Sequence, residues 1–179
     1  MYRPAKSRAV FFIVILVSAV LLFPSCDEDD DTAPASSFLY KGNTYALTNG
    51  YIIPGQDNGN GTFTHRVGLF TEGVVEGSTP TGFSGTGSGL LISMTTTNPS
   101  NIQEGDYTAS SANDALTYKL QFLAIDDSVS ALTNLEPAGN GPVEVSVSSD
   151  TYTIVFDLNV PQSIGGFEIL FGTYIGTLQ

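Results

Sequence analysis

The chain is poor in the residue types on which most site chemistry depends. It has one cysteine, Cys26, one histidine, His65, and no tryptophan. A single thiol excludes an intramolecular disulfide, so the fold must rest on its core. One imidazole and one thiol fall short of the ligand set of an ordinary zinc site. They also leave His65 as the only histidine that a serine nucleophile could use as its base. Basic residues are scarce, six against 18 acidic ones. This argues against nucleic acid and anionic lipid surfaces, both of which are bound through clustered Lys and Arg. The long uncharged apolar run, Ala9 to Phe23, has 15 residues, short of the ~20 that a helix needs to span a bilayer.

What that run has is the right surroundings for export. Arg3, Lys6 and Arg8 precede it, and Pro24, Ser25 and Cys26 follow. A positive start, an apolar core and a small residue before a cleavage point make a secretory signal. The sole cysteine stands at that point, so Phe23-Pro24-Ser25-Cys26 resembles the lipobox of a bacterial lipoprotein. The usual Leu three residues before the cysteine is replaced by Phe23, and the usual Ala or Gly just before it by Ser25. The resemblance implies cleavage after Ser25, a diacylglycerol on the Cys26 sulfur and an N-acyl chain. One acyl chain anchors marginally, whereas several hold firmly, at about 0.8 kcal/mol per buried methylene. The alternative is ordinary cleavage nearby, with Cys26 left as a free thiol.

Asp27, Glu28, Asp29, Asp30 and Asp31 follow the cysteine directly. Five like charges repel and stay extended, which suits a spacer. Their position also resembles the export signal of surface lipoproteins in Bacteroidota-type bacteria, which implies the outward face of the outer membrane. Periplasmic retention is the alternative. The expected organisation is thus a signal peptide (1–25), an acylated acidic tether (26–37) and one domain (38–179). Loss of the signal removes Arg3, Lys6 and Arg8, leaving Lys41, Arg66 and Lys119 against all 18 acids.

The domain reads as all-β. Val143, Val145 and Val147 alternate, then Tyr152, Ile154, Phe156 and Leu158, about the turn Ser148-Ser149-Asp150-Thr151. Period two on both sides of a polar turn predicts a hairpin. Phe167, Ile169 and Phe171 continue into a closing strand after Gly165-Gly166. Upstream, strands are expected at 38–40, at 43–53 with a break near Gly50, and at 62–71, 89–97, 107–109 and 115–125. The stretch from Glu76 to Ser88, rich in glycine, reads as a long mobile loop. An antiparallel β-sandwich or barrel of about eight to ten strands is expected.

Tyr40-Lys41-Gly42-Asn43-Thr44-Tyr45, Gly105-Asp106-Tyr107 and Gly172-Thr173-Tyr174 each bring a glycine close before a tyrosine. With the closing Gly-Thr-Tyr-Ile-Gly-Thr-Leu, they are similar to small β-rich surface lipoproteins of Bacteroidota-type bacteria. That resemblance implies no activity. The plain reading is that Gly bends the chain and Tyr packs a cross-strand face.

Candidate chemistry is thin. Alternation about Phe63 and Val67 is read as turning His65 to solvent, a surface residue beside Arg66. Gly85-Thr86-Gly87-Ser88-Gly89 has serine among glycines but no following helix, as a nucleophile elbow requires. Calcium is the more plausible cofactor. Asp57, Asn58 and Asn60 offer hard oxygens in a turn, and Asp126 and Asp127 offer carboxylates at a strand end. A polar hairpin tip is the favoured reading of the first group, since Asn and Asp followed by Gly supply positive φ. Tyr45, Tyr51, Tyr107, Tyr118, Tyr152 and Tyr174 could form a sugar platform or belong to the core. The expectation is a non-catalytic binding module, its ligand a glycan or envelope protein. A structural or adhesive, fimbrial-type subunit is the alternative, and a hydrolase comes last.

Overall fold

The structure, a computed structural model, describes residues 35–79, 81–129, 140–162 and 165–179. Eleven strands follow one another: β1 (Ser37–Tyr40), β2 (Asn43–Ala46), β3 (Asn49–Asp57), β4 (Phe63–Phe70), β5 (Val74–Glu76), β6 (Phe83–Thr96), β7 (Gly105–Ala109), β8 (Thr117–Ser128), β9 (Val143–Ser148), β10 (Thr151–Pro161) and β11 (Phe167–Gly176). No helix occurs among the described residues. The strands form one sheet in the order β2-β1-β11-β10-β9-β7-β8-β6-β4-β3, with β5 paired to β6 off that path. Every pairing is antiparallel except β7 with β8, joined in parallel at Thr108–Thr117 and Ala109–Tyr118. β2 and β3 stand at the two ends, so the sheet is not closed. Its two halves instead enclose one core, as in a sandwich.

Alternation builds that core. Phe38, Ile154, Phe156 and Leu170 come from the β1–β11–β10 half, and Val67, Leu69, Leu90 and Ile92 from the β4–β6 half. The glycine–tyrosine pairs serve it. Gly172 lies between Phe38 and Phe156 in register, and a side chain there would meet the Phe38 Cβ at 2.7 Å. Tyr45 stacks on Phe38 with ring centroids 4.8 Å apart. Tyr107 is buried, its hydroxyl donating to the Gln103 carbonyl at 2.9 Å. Room and packing explain these motifs.

A second, smaller cluster lies on the opposite face of the β3–β4–β6–β8 half. Tyr51, Phe70, Val74, Phe83, Leu91, Phe122, Ala124 and Val129 form it. Phe70 and Phe83 meet at 4.9 Å, and the Thr81 hydroxyl donates to the Val129 carbonyl at 2.8 Å. Burying each phenylalanine contributes about 1.5–3 kcal/mol. This cluster overturns one expectation. The Glu76–Ser88 stretch is not a long loop, because β5 ends at Glu76 and β6 already begins at Phe83. Its glycines permit close backbone approach: a Cβ on Gly85 would come within 2.1 Å of the Gly73 carbonyl oxygen. Likewise the 43–53 strand breaks at Leu47–Thr48 and not at Gly50, which lies within β3.

Candidate functional site

β11 reads Phe-Glu-Ile-Leu-Phe-Gly-Thr-Tyr-Ile-Gly, apolar on both parities. A strand of that kind is normally covered on both faces. Here Leu170 and Tyr174 point into the core, while Phe167, Ile169, Phe171 and Ile175 face outward at 64, 56, 48 and 46 % exposure. Neighbouring strands extend this face. Leu39 of β1 stands opposite Phe171, and Val155 of β10 stands opposite Thr173. Between them lies an open concavity of about 670 Å³, lined by Leu39, Thr44, Val155, Phe171 and Thr173, with Asp157 beside them. Periodicity alone marks β11 as a strand. It does not say that the more apolar parity is the outer one.

A contiguous outward row of Phe and Ile is an exposed apolar patch of the kind found at interaction sites. Its lining is mainly apolar, with Asp157 as the one charged side chain and the hydroxyls of Ser37, Thr44 and Thr173 beside it. The surface can bind apolar groups.

The sequence-derived candidates fall elsewhere. Cys26 and Asp27–Asp31 lie outside the described residues. The reading of His65 as solvent-facing is corrected. Positions 63, 65 and 67 have the same parity, so in a strand they share a face, and His65 is wholly buried. Its Nδ1 accepts the Gly55 amide proton at 3.0 Å, and its Nε2 donates to the Asn98 carbonyl at 2.8 Å. Both ring nitrogens are occupied in a structural role. Ser88 is likewise buried, at a register shift between β6 and β8. Its hydroxyl donates to Asp126 Oδ1 and accepts the Asp126 amide, each at 2.9 Å.

The two proposed calcium groups are not brought together. Asp57 pairs with Phe63, which pairs with Thr96 at one end of β6, whereas Asp127 pairs with Gly87 near the other. At the hairpin tip Asp57 Oδ1 accepts the Gly59 amide, and Asn60 Oδ1 accepts the Thr62 amide. Gly59 and Gly61 have φ of 77° and 83°, as such a turn requires. Asp127 Oδ1 accepts the Ser128 amide at 2.7 Å. No group of three or more His, Cys, Asp or Glu able to hold a metal ion occurs among the described residues.

The tyrosines do not form a surface platform. Tyr51, Tyr107, Tyr118 and Tyr174 are buried, and Tyr45 and Tyr152 are half-buried against the core. Burial pushes the Tyr107 and Tyr118 phenols up to about 12. Compared with known protein families, curated proteins and solved structures, the chain matches none.

Proposed function

We propose that this protein is an acylated lipoprotein of the outer membrane, displayed outward. On this reading its β domain works as a non-catalytic interaction module. The observation that carries the binding function is the outward row Phe167–Ile169–Phe171–Ile175 with Val155 and Leu39 beside it. A second feature supports the link between anchor and face. β1 is the first strand after the tether and lies directly beside β11. Ser36 holds that entry point, its hydroxyl donating to the Ile175 carbonyl at 3.0 Å and accepting the Ile175 amide at 2.8 Å. Ten residue steps separate Cys26 from Ser36, a reach of at most about 35 Å. An envelope protein is the partner this apolar chemistry suits.

A self-assembling subunit is supported less well. It would need an open edge and a strand that can leave. β2 is an edge of only four residues, and β3, the other edge, is covered by Gln179 at Gly50 and Ile52 and carries Pro54 beyond, features that blunt edge pairing. β1 buries Phe38 and Tyr40.

A photo-crosslinking residue placed at Ile169, in cells making the whole chain, tests the binding face. A discrete adduct with an envelope protein, absent when the probe stands at Ser146, is expected. Equal adducts at both positions, or none at Ile169, would reject the face. Protease shaving of intact cells tests display separately. The domain should be lost while a periplasmic control survives, and Cys26→Ala should release the protein from membranes.

A further inference from the structure

The outer face of the β3–β4–β6–β8 half carries the opposite chemistry. Its upper part lies under the Tyr51–Phe70–Phe83 cluster, and its lower part is open and polar. There the register sets Arg66 of β4 opposite Ser93 of β6, and Ser93 opposite Lys119 of β8. The next row on that face is Gln56, Thr64, Thr95 and Thr117, with the Thr64 and Thr95 hydroxyls 3.1 Å apart. A groove of about 440 Å³ lies over Arg66, Thr64 and Ser93, walled by Asn58 and Asn113. A smaller hollow of about 80 Å³ shares Thr64 and Ser93 with it and continues to Lys119 and Gln121.

The charge placement is not that of the chain at large. Once the signal is set aside, the sequence has three basic residues, Lys41, Arg66 and Lys119, against 18 acids. Two of those three line this face, and none of the described acidic residues does. The site is also built in advance. Arg66 Nη1 donates to the Thr81 carbonyl at 3.1 Å, which fixes the guanidinium. The Asn58 amide donates to the Thr62 and Thr64 hydroxyl oxygens. The Thr62 hydroxyl and the Asn60 amide both donate to the Asn113 carbonyl, so two separate turns form one wall.

We propose that this groove binds an anionic saccharide, its carboxylate or sulfate held between Arg66 and Lys119. Ring hydroxyls then exchange hydrogen bonds with the amides of Gln56 and Asn58 and the hydroxyls of Thr64 and Thr95. The groove's size suits one or two sugar units. Its only aromatic lining residue, Tyr118, is buried with its hydroxyl donating to the Gly141 carbonyl. Stacking, on which neutral sugars lean, is therefore missing, and charge must supply the affinity. An acidic peptide fits less well: β4, β6 and β8 are each paired on both sides, and β3, the edge strand at the groove's rim, carries Pro54 and a bulge there, which hinder strand addition. Asp57 and Asp114 adjoin the wall residues Asn58 and Asn113 in sequence, but neither lines the groove, and charges more than about 8 Å away are largely screened at physiological ionic strength. The proposal goes beyond the apolar face and uses none of its residues, so either can fail alone.

The test is calorimetric titration of the whole acylated chain in neutral detergent with tetragalacturonate, dextran sulfate oligomers, neutral dextran oligomers and poly-L-glutamate. At least one of the two anionic saccharides is expected to bind, more weakly as salt rises, and the neutral dextran is expected not to. Lys119→Gln and Arg66→Gln should each weaken binding about ten-fold, and the pair together should remove it. Lys119→Gln decides the matter if Arg66→Gln unfolds the domain, because Lys119 is only partly buried. Three results would overturn the proposal: no binding of either anionic saccharide, equal binding of dextran, or affinity unchanged in Lys119→Gln. Poly-L-glutamate binding as tightly, and lost with the same substitution, would also reject a saccharide in favour of an acidic polypeptide.

Discussion

Tyr174 of β11 occupies the space that a side chain on Gly50 of β3 would need: a Cβ there would lie 2.3 Å from the phenol oxygen and 2.4 Å from the ring. The contact joins strands from opposite halves of the sandwich. The last residue reinforces it, as the Gln179 amide donates to the Gly50 carbonyl and the Gln179 carbonyl accepts the Ile52 amide. Gly50→Ala should destabilise the domain by about 2 kcal/mol through overpacking. In a Tyr174→Ala background the same change should cost much less, because the obstructing ring is gone. Urea unfolding of the four proteins measures that coupling, and simple additivity would show that the ring moves aside freely.

His65 is the second place where a single residue ties two segments. Gly55 lies in a bulge between Ile53 and Gln56, and a Cβ there would come within 1.7 Å of the Thr64 carbonyl oxygen. The bulge leaves the Gly55 amide aimed at His65. His65→Ala leaves that amide without a partner, removes one of the two bonds to the Asn98 carbonyl and opens a cavity. The expected loss is about 3 kcal/mol, a large part of a typical domain's stability. An unfolding midpoint close to wild type would contradict this structural role.

How much of this could be read from the sequence follows from what period two can and cannot say. It located the β9–β10 hairpin and β11, and it made the all-β class plain. It could not say which parity of β11 faces the core, since Phe167, Ile169 and Phe171 look more core-like than Leu170 and Tyr174. Glycine misled in the 76–88 stretch, where Gly85 and Gly87 serve close backbone approach within a strand. The Arg66–Ser93–Lys119 row was illegible for a different reason. These residues come from three strands, and only cross-strand register makes them neighbours. His65 was legible, for its parity with Val67 stands in the chain.

The buried phenols set the alkaline limit. With the folded-state values of Tyr107 and Tyr118 raised by burial to about 12, the folded domain holds protons that the unfolded chain releases near pH 10. Their contribution is complete below about pH 10 and is lost as pH rises towards 12. Tyr174 shifts in the same direction, through burial and then through neighbouring Tyr51. Phenolate absorbance followed against pH should show late-titrating tyrosines whose ionisation coincides with unfolding. Titration of every tyrosine near pH 10 with the fold intact would contradict it.

The β1–β2 turn carries local strain that a substitution can relieve. Lys41 and Gly42 both have positive φ, 50° and 79°, the requirement of a two-residue turn matched to strand twist. Lysine adopts that region at a cost of roughly 1 kcal/mol, whereas asparagine adopts it readily. Against this, the Lys41 ammonium lies 5.1 Å from the Tyr40 ring centroid, worth about 0.5 kcal/mol at an exposed site. Relief of strain wins, so Lys41→Asn should stabilise by about 0.5 kcal/mol and Lys41→Val should destabilise. Thermal melts of the two variants check the order.

Adjacent residues of β11 should respond in opposite ways to loss of apolar surface. Leu170 is fully buried, while Ile169 and Phe171 on either side are half exposed. Leu170→Ala removes atoms from the shared core and should cost about 2–5 kcal/mol. Ile169→Thr with Phe171→Thr keeps β-branched residues on the strand and removes apolar area that water already touches. That double variant should stay within about 1 kcal/mol of wild type in urea unfolding, yet lose the envelope-protein adduct captured by a photo-crosslinker at Phe167. If instead it unfolds like Leu170→Ala, the outward row belongs to a buried core and cannot be the binding face.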